Sequence, residues 1–97
     1  MALVALPANA EGSIVRGRLF RVINGGSFRA PGIALTVFSP QMGRSSPAYS
    51  GPDGMYYLYN IPPGVYTLEV WVPNSPMSYQ IQVDGQAYTD IAPIRVP

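Results

Sequence analysis

The sequence predicts an all-β domain, a sandwich or a barrel, built from seven strands. Glycine and proline are frequent, with 10 Gly and 11 Pro among 97 residues. Their spacing leaves no uninterrupted amphipathic stretch of about ten residues or more, which is what a helix would need. Short β-branched and aromatic runs alternate with turn sequences instead, and this pattern is typical of sandwiches and barrels.

The predicted strands begin with residues 13–23. In this strand Val15, Gly17 and Leu19 share one face, and Arg16 and Arg18 lie on the other, because side chains alternate along a strand. The other predicted strands, in chain order, are 33–38, 47–50, 55–59, 65–72, 78–83 and 87–96, the last interrupted at Pro93.

Turn sequences separate these strands. Residues 24–27, Asn-Gly-Gly-Ser, predict a loop or hairpin tip, since two of them are free to take positive φ. Asp53 and Gly54 end a tight turn before the fourth strand. Pro63 and Gly64 suit the central positions of a type II turn, because proline presets φ and glycine takes φ > 0.

The segment 65–72 has the strongest β pattern. Glu69 should face water, so we expect the opposite face of this strand to be the core face. The predicted core residues of the segment are Tyr66, Leu68, Val70 and Val72.

Four segments occur in an informative order. They are V-R-G-R-L at 15–19, P-G-I-A-L-T-V at 31–37, D-G-M-Y-Y-L at 53–58 and N-I-P-P-G-V-Y-T-L-E-V at 60–70. This order resembles the carboxypeptidase regulatory-like (transthyretin-like) family, and the last segment, the Pro-Gly-x-Tyr-x-Leu hairpin, is its most specific part. The resemblance implies a seven-stranded Greek-key β-sandwich of the transthyretin/immunoglobulin-like type. Members serve as spacers, adhesin stalks, sugar-binding appendages and assembly subunits, so it implies no single function.

The sequence departs from the family pattern in two places. Gly51 stands where members usually have Asp, and the spacing between the first and second strands, through residues 24–29, is longer than usual. The first departure weakens any metal-binding role for the 51–54 turn.

Composition argues against catalysis. The chain has 0 His and 0 Cys, which removes the commonest general base and the thiolate metal ligands. Relatives with known chemistry need a catalytic His, as in transthyretin-like hydroxyisourate hydrolases, or a Lys for an isopeptide bond, and neither residue occurs here. Asp53 and Asp84 precede Gly in turns. We expect a non-enzymatic domain with no catalytic residues, no metal and no cofactor.

Low charge favours a protein partner. Charged residues make up 11% of the chain, against about a quarter in ordinary soluble domains, and the net charge is +1. One interpretation is a neutral domain kept soluble by uncharged polar residues; the other is a surface covered by copies of itself or by a larger assembly. Six scattered arginines among five acids make no basic stripe, so we expect no nucleic acid. No apolar run is long enough for a membrane span.

The first residues form an apolar segment. We predict residues 1–12 to be an N-terminal arm and 13–97 to be the sandwich domain. The predicted contact residues of the arm are Ala2, Leu3, Val4, Ala5 and Leu6. The alternative is a truncated signal peptide, since residues 8–10 resemble a signal-peptidase site.

Aromatic residues give the second candidate surface. On strand alternation Tyr57, Tyr59 and Trp71 point away from the core and form a predicted aromatic face. Three uses are open: ordinary cross-strand pairing, a protein contact, or sugar stacking on Trp71 or a tyrosine. The faces of Tyr49, Tyr79 and Tyr88 cannot be assigned from the pattern.

Arginine is the only basic residue type in the chain. Arg16, Arg18 and Arg21 are predicted to form an outward ridge, either solvated or in contact with a partner.

These observations predict a structural protein. The subunit would dock on or build a larger assembly, such as a virion decoration (cement) layer or an extracellular filament, through the arm and the aromatic face. A virion or an extracellular surface is the expected location. The alternative is a carbohydrate-binding or adhesion module of a secreted protein.

Overall fold

Alternating apolar and polar residues produce ten β-strands in the computed structural model, which describes residues 12–97. The strands are β1 Ser13–Ile23, β2 Gly26–Arg29, β3 Ala34–Ser39, β4 Gly43–Arg44, β5 Ala48–Tyr49, β6 Met55–Ile61, β7 Gly64–Trp71, β8 Met77–Val83, β9 Tyr88–Asp90 and β10 Ile94–Arg95.

The strands form two five-stranded sheets. The first is built around β1, which pairs antiparallel with β6 and β2 and parallel with β9 and β10. The second has the order β4-β3-β7-β8, and β5 also pairs with β3. The fold is therefore an all-β sandwich, as predicted.

The core lies between the sheets. Both sheets contribute alternate residues to a single buried cluster, and the register places Leu35 opposite Val70 and Val37 opposite Leu68. The predicted core face of the fifth strand is confirmed. All four of its residues, Tyr66, Leu68, Val70 and Val72, are buried.

All seven predicted strands are present, with bounds shifted by a few residues. Two additional short strands, β2 and β4, lie in segments predicted as loops, and the predicted last strand is divided at Pro93 into β9 and β10. Proline has no N–H for a ladder, so the division follows from the residue itself.

Two predicted turns are present and one differs. Asn24 and Gly25 both have positive φ, 50° and 81°, and join β1 to β2 as a hairpin. In the 51–54 turn Gly54 has φ 79°, and Asp53 Oδ1 accepts the Met55 N–H at 2.9 Å. The prediction of a type II turn at Pro63-Gly64 is wrong, because Gly64 has φ 154° and is already the first residue of β7.

The predicted arm contacts, Ala2 to Leu6, lie outside the described residues.

Candidate functional site

The outward-facing residues of β1 form the centre of a surface on the first sheet. Val15 and Leu19 are fully buried, so the alternate residues Ile14, Arg16, Arg18 and Phe20 face away from the core. We call this surface the outer β1 face. Neighbouring strands add side chains to it in register.

At one end of this face three tyrosines surround an ion pair. Arg16 lies opposite Tyr57 on β6 and opposite Asp90 on β9. Its Nε donates to Asp90 Oδ1 at 2.5 Å, and its guanidinium carbon lies 3.9 Å from the centroid of the Tyr88 ring. The rings of Tyr57 and Tyr59 stack with centroids 6.3 Å apart and planes inclined by 24°. We call these five residues the tyrosine cluster.

The ion pair places a charged guanidinium group over the Tyr88 ring. The hydrogen bond to Asp90 raises the pKa of Arg16 above its ordinary value, so the guanidinium stays charged over the Tyr88 ring. Because this cation–π contact is exposed to solvent, its contribution to stability is small. Tyrosine offers a large contact area with few rotatable bonds. The cluster is thus a neutral, amphipathic and partly ordered surface.

Trp71 belongs to a different surface. It lies on β7 in the second sheet, where its Nε1 donates to Thr36 Oγ1 at 2.8 Å. The Thr36 hydroxyl in turn donates to Glu69 Oε1 at 2.6 Å. Arg44 donates to both oxygens of Glu69, from Nε at 2.7 Å and from a terminal nitrogen at 2.8 Å. The indole ring is thereby fixed while 43% of the residue stays exposed.

The same network sets the charge of Glu69. Hydrogen bonding from Arg44, assisted by Thr36, holds the pKa of Glu69 below its usual value, although partial burial opposes the shift. The carboxylate therefore stays ionised, and Arg44 neutralises it.

The prediction that Tyr57, Tyr59 and Trp71 form a single aromatic face is wrong. Tyr57 and Tyr59 do point outward, as does Trp71, but β6 belongs to the first sheet and β7 to the second. The outer faces of a sandwich point in opposite directions. Tyr88, which the sequence pattern left unassigned, takes the place of Trp71 beside the two tyrosines.

The predicted arginine ridge is also divided. Arg16 and Arg18 lie on the outer β1 face. Arg21 follows Leu19 by two residues and therefore lies on the other side of the strand. There its Nε donates to the Pro97 carbonyl oxygen at 3.0 Å.

Two arginines that sequence reasoning missed lie on the outer β1 face instead. Arg29 and Arg95 both lie opposite Phe20 in register, one on each side of β1.

Residues 12–97 contain no group of three or more His, Cys, Asp or Glu side chains that would hold a metal ion. The same residues include no helix suited to crossing a bilayer.

Comparisons with known proteins add a fold relationship. No protein-family model matches the chain, and no curated protein matches it. Among solved structures, the chain is similar to a DUF3823 family protein from Bacteroides ovatus, with a TM-score of 0.50 and 21% sequence identity. The match covers 82% of this chain and 42% of that one. At this identity the similarity concerns the fold alone, and it supports a β-sandwich.

Proposed function

We propose that this domain is a non-enzymatic structural module, a sandwich of the carboxypeptidase regulatory-like type, that docks on copies of itself or on a larger protein assembly. The observation that carries the proposal is the tyrosine cluster. Three exposed tyrosines are held around one neutralised ion pair on the outer β1 face. A virion or extracellular assembly fits a chain with so few charged residues.

The composition of the cluster favours protein over other ligands. Tyr and Arg are enriched at the centres of protein interfaces, whereas unpaired acids and lysines are depleted there. Arg16 and Asp90 neutralise each other, so covering them with a partner does not leave a lone charge buried. The apolar arm, residues 1–12, would add a second contact, by strand addition to a neighbouring sheet edge.

Removing the rings should weaken association. We expect the full chain to self-associate in light scattering and sedimentation velocity, and Tyr57→Ser/Tyr59→Ser to raise the dissociation constant at least about tenfold, since central interface aromatics contribute about 2 kcal/mol or more.

The matched control is Tyr49→Ser, because Tyr49 is 64% exposed, like Tyr59 at 62%, but lies on β5 in the second sheet. A chain starting at Glu11 tests the arm separately. Wild-type protein that stays monomeric at millimolar concentration, or an equal loss in the Tyr49 variant, would overturn docking on copies of itself through the tyrosine cluster.

Carbohydrate binding is the second candidate, and Trp71 favours it. The fixed indole borders a shallow cavity lined by Glu69, Pro76, Met77 and Ser78, which provides a flat ring beside polar groups. Sugars stack on such amphipathic rings.

We expect Trp71→Ala to abolish any glycan-array signal and to leave self-association through the opposite sheet unchanged. Glycan binding that persists in this variant would contradict a sugar-binding role for Trp71.

A further inference from the structure

We propose that the arginine-bearing end of the outer β1 face, together with the free edge of β2, binds an extended segment of a protein partner in which acidic and apolar residues alternate. The inference rests on the proposed protein-docking function and names the chemistry of the partner. It uses residues that the tyrosine cluster does not.

Three arginines meet around Phe20. Arg29 on β2 and Arg95 on β10 lie opposite Phe20 in register, and Arg18 precedes it by two residues on β1. Neighbouring strands are about 4.8 Å apart and the three positions share the alternation of Phe20, so the three arginines emerge near Phe20 on one face of the sheet. Arg18, Phe20 and Arg29 also line a cavity of about 410 Å³ together with Ser27, Phe28 and Pro93. We call Arg18, Arg29 and Arg95 the arginine cluster.

The charge of this cluster is not neutralised by the residues described, 12–97. Of the four acids in that range, Asp90 is paired with Arg16 and Glu69 with Arg44. Asp53 caps its own turn at the Met55 N–H, and Asp84 follows β8 of the second sheet. Within this range no side-chain carboxylate lies within 4 Å of the arginine cluster. A chain of net charge +1 thus concentrates three positive charges at one site. The complementary ligand is acidic.

The edge of β2 supplies a second recognition element. Alternate residues of an antiparallel pair direct their backbone groups toward the partner strand. The Ala30 N–H donates to the Leu19 carbonyl at 3.1 Å, so Phe28 also faces β1, and Ser27 and Arg29 direct their N–H and C=O groups outward. Among the described strands β2 pairs with β1 alone. An extended segment can therefore add to β2.

The two sides of β2 differ, and this difference defines the sequence of the segment. On the outer side lie Ser27 and Arg29, and Arg29 belongs to the arginine cluster. On the other side, Phe28 and Ile23 are 53% and 51% exposed. Successive residues of an added strand would point to these two sides in turn, so acidic residues would lie on the side of the arginine cluster, nearest to Arg29, and apolar residues on the side of Phe28. A nucleic acid or a sulfated glycan would use the charge but neither the backbone edge nor Phe28.

The test uses a capped, fluorescein-labelled hexapeptide in which Glu and Val alternate, with binding followed by fluorescence anisotropy at low salt. We expect Arg18→Gln/Arg29→Gln to weaken binding about tenfold, and added salt to weaken it further. Arg21→Gln, on the opposite side of the same hairpin, is the matched control and should have little effect. Ser27→Pro should also weaken binding, because it removes an outward N–H without breaking the ladder to β1; thermal unfolding checks that each variant is folded.

Several outcomes would overturn the inference: equal affinity for a peptide of the same composition with Glu and Val in separate blocks, unchanged binding by Ser27→Pro, or binding of heparin or single-stranded DNA with none of the peptide. Self-association of the same variants separates the two proposals. Loss of peptide binding with intact self-association supports the inference. A full chain that binds no peptide but self-associates through the tyrosine cluster contradicts the inference and leaves the proposed function standing.

Discussion

Gly54→Ala is expected to lower the free energy of unfolding by about 3 kcal/mol, from two separate causes. Gly54 has φ 79°, a left-handed conformation that costs an L residue about 1–2 kcal/mol. An added Cβ would also lie 2.6 Å from the carbonyl oxygen of Leu19. That oxygen accepts the Ala30 N–H, and the Leu19 N–H donates to the Gly54 carbonyl at 2.8 Å. The Leu19 carbonyl oxygen is a backbone atom held by these hydrogen bonds, so it cannot move away from an added Cβ without disrupting them.

Urea denaturation measures this loss, and Gly43→Ala separates its causes. Gly43 has a similar φ of 75°, but a Cβ added there would meet nothing within 4 Å. We expect Gly43→Ala to lose only the conformational cost of about 1–2 kcal/mol. Equal losses in the two variants would show that the contact with Leu19 contributes nothing.

Local features of this fold could be predicted because they depend on alternation within one strand. The buried side of β7, with Leu68 and Val70, and the outward direction of Tyr57, Tyr59 and Trp71 follow from a period of two residues. Which sheet a strand joins is a different matter. It depends on pairing between distant segments, so the sequence pattern alone could not separate Trp71 from the two tyrosines.

The arginine cluster shows the same limit more clearly. Arg95 reaches Phe20 only through the parallel pairing of β10 with β1, which joins residues far apart in the chain. Arg29 lies on β2, whose four residues Gly-Ser-Phe-Arg have little strand pattern of their own. That strand forms because the Asn24-Gly25 turn returns the chain alongside β1. Charges that look scattered in the sequence are thus gathered by tertiary pairing.

The V-R-G-R-L motif at residues 15–19 of β1, with a glycine between two apolar residues, has a physical explanation in the structure. Gly17 lies directly opposite Tyr56, whose side chain is fully buried. A Cβ at position 17 would lie 2.6 Å from the tyrosine Oη and 2.9 Å from its Cζ. The ring therefore occupies the space that any other residue at position 17 would fill. Burial raises the pKa of Tyr56, and its hydroxyl has no hydrogen-bond partner among the described residues.

Gly17→Ala should accordingly cost about 2–3 kcal/mol of unfolding free energy, since a close-packed core must shift to admit the methyl group. Tyr56→Phe removes the atom nearest to that methyl group together with a buried, unsatisfied hydroxyl, so by itself we expect it to be neutral or to stabilise by up to about 1 kcal/mol. In the Tyr56→Phe background, Gly17→Ala should then cost less, though still something, because Cζ remains close. Urea denaturation of the four proteins gives the coupling energy, which we expect to be about 1 kcal/mol. Strict additivity would mean that the Tyr56 hydroxyl does not limit the residue at position 17, and that the carbon atoms of the ring do so instead.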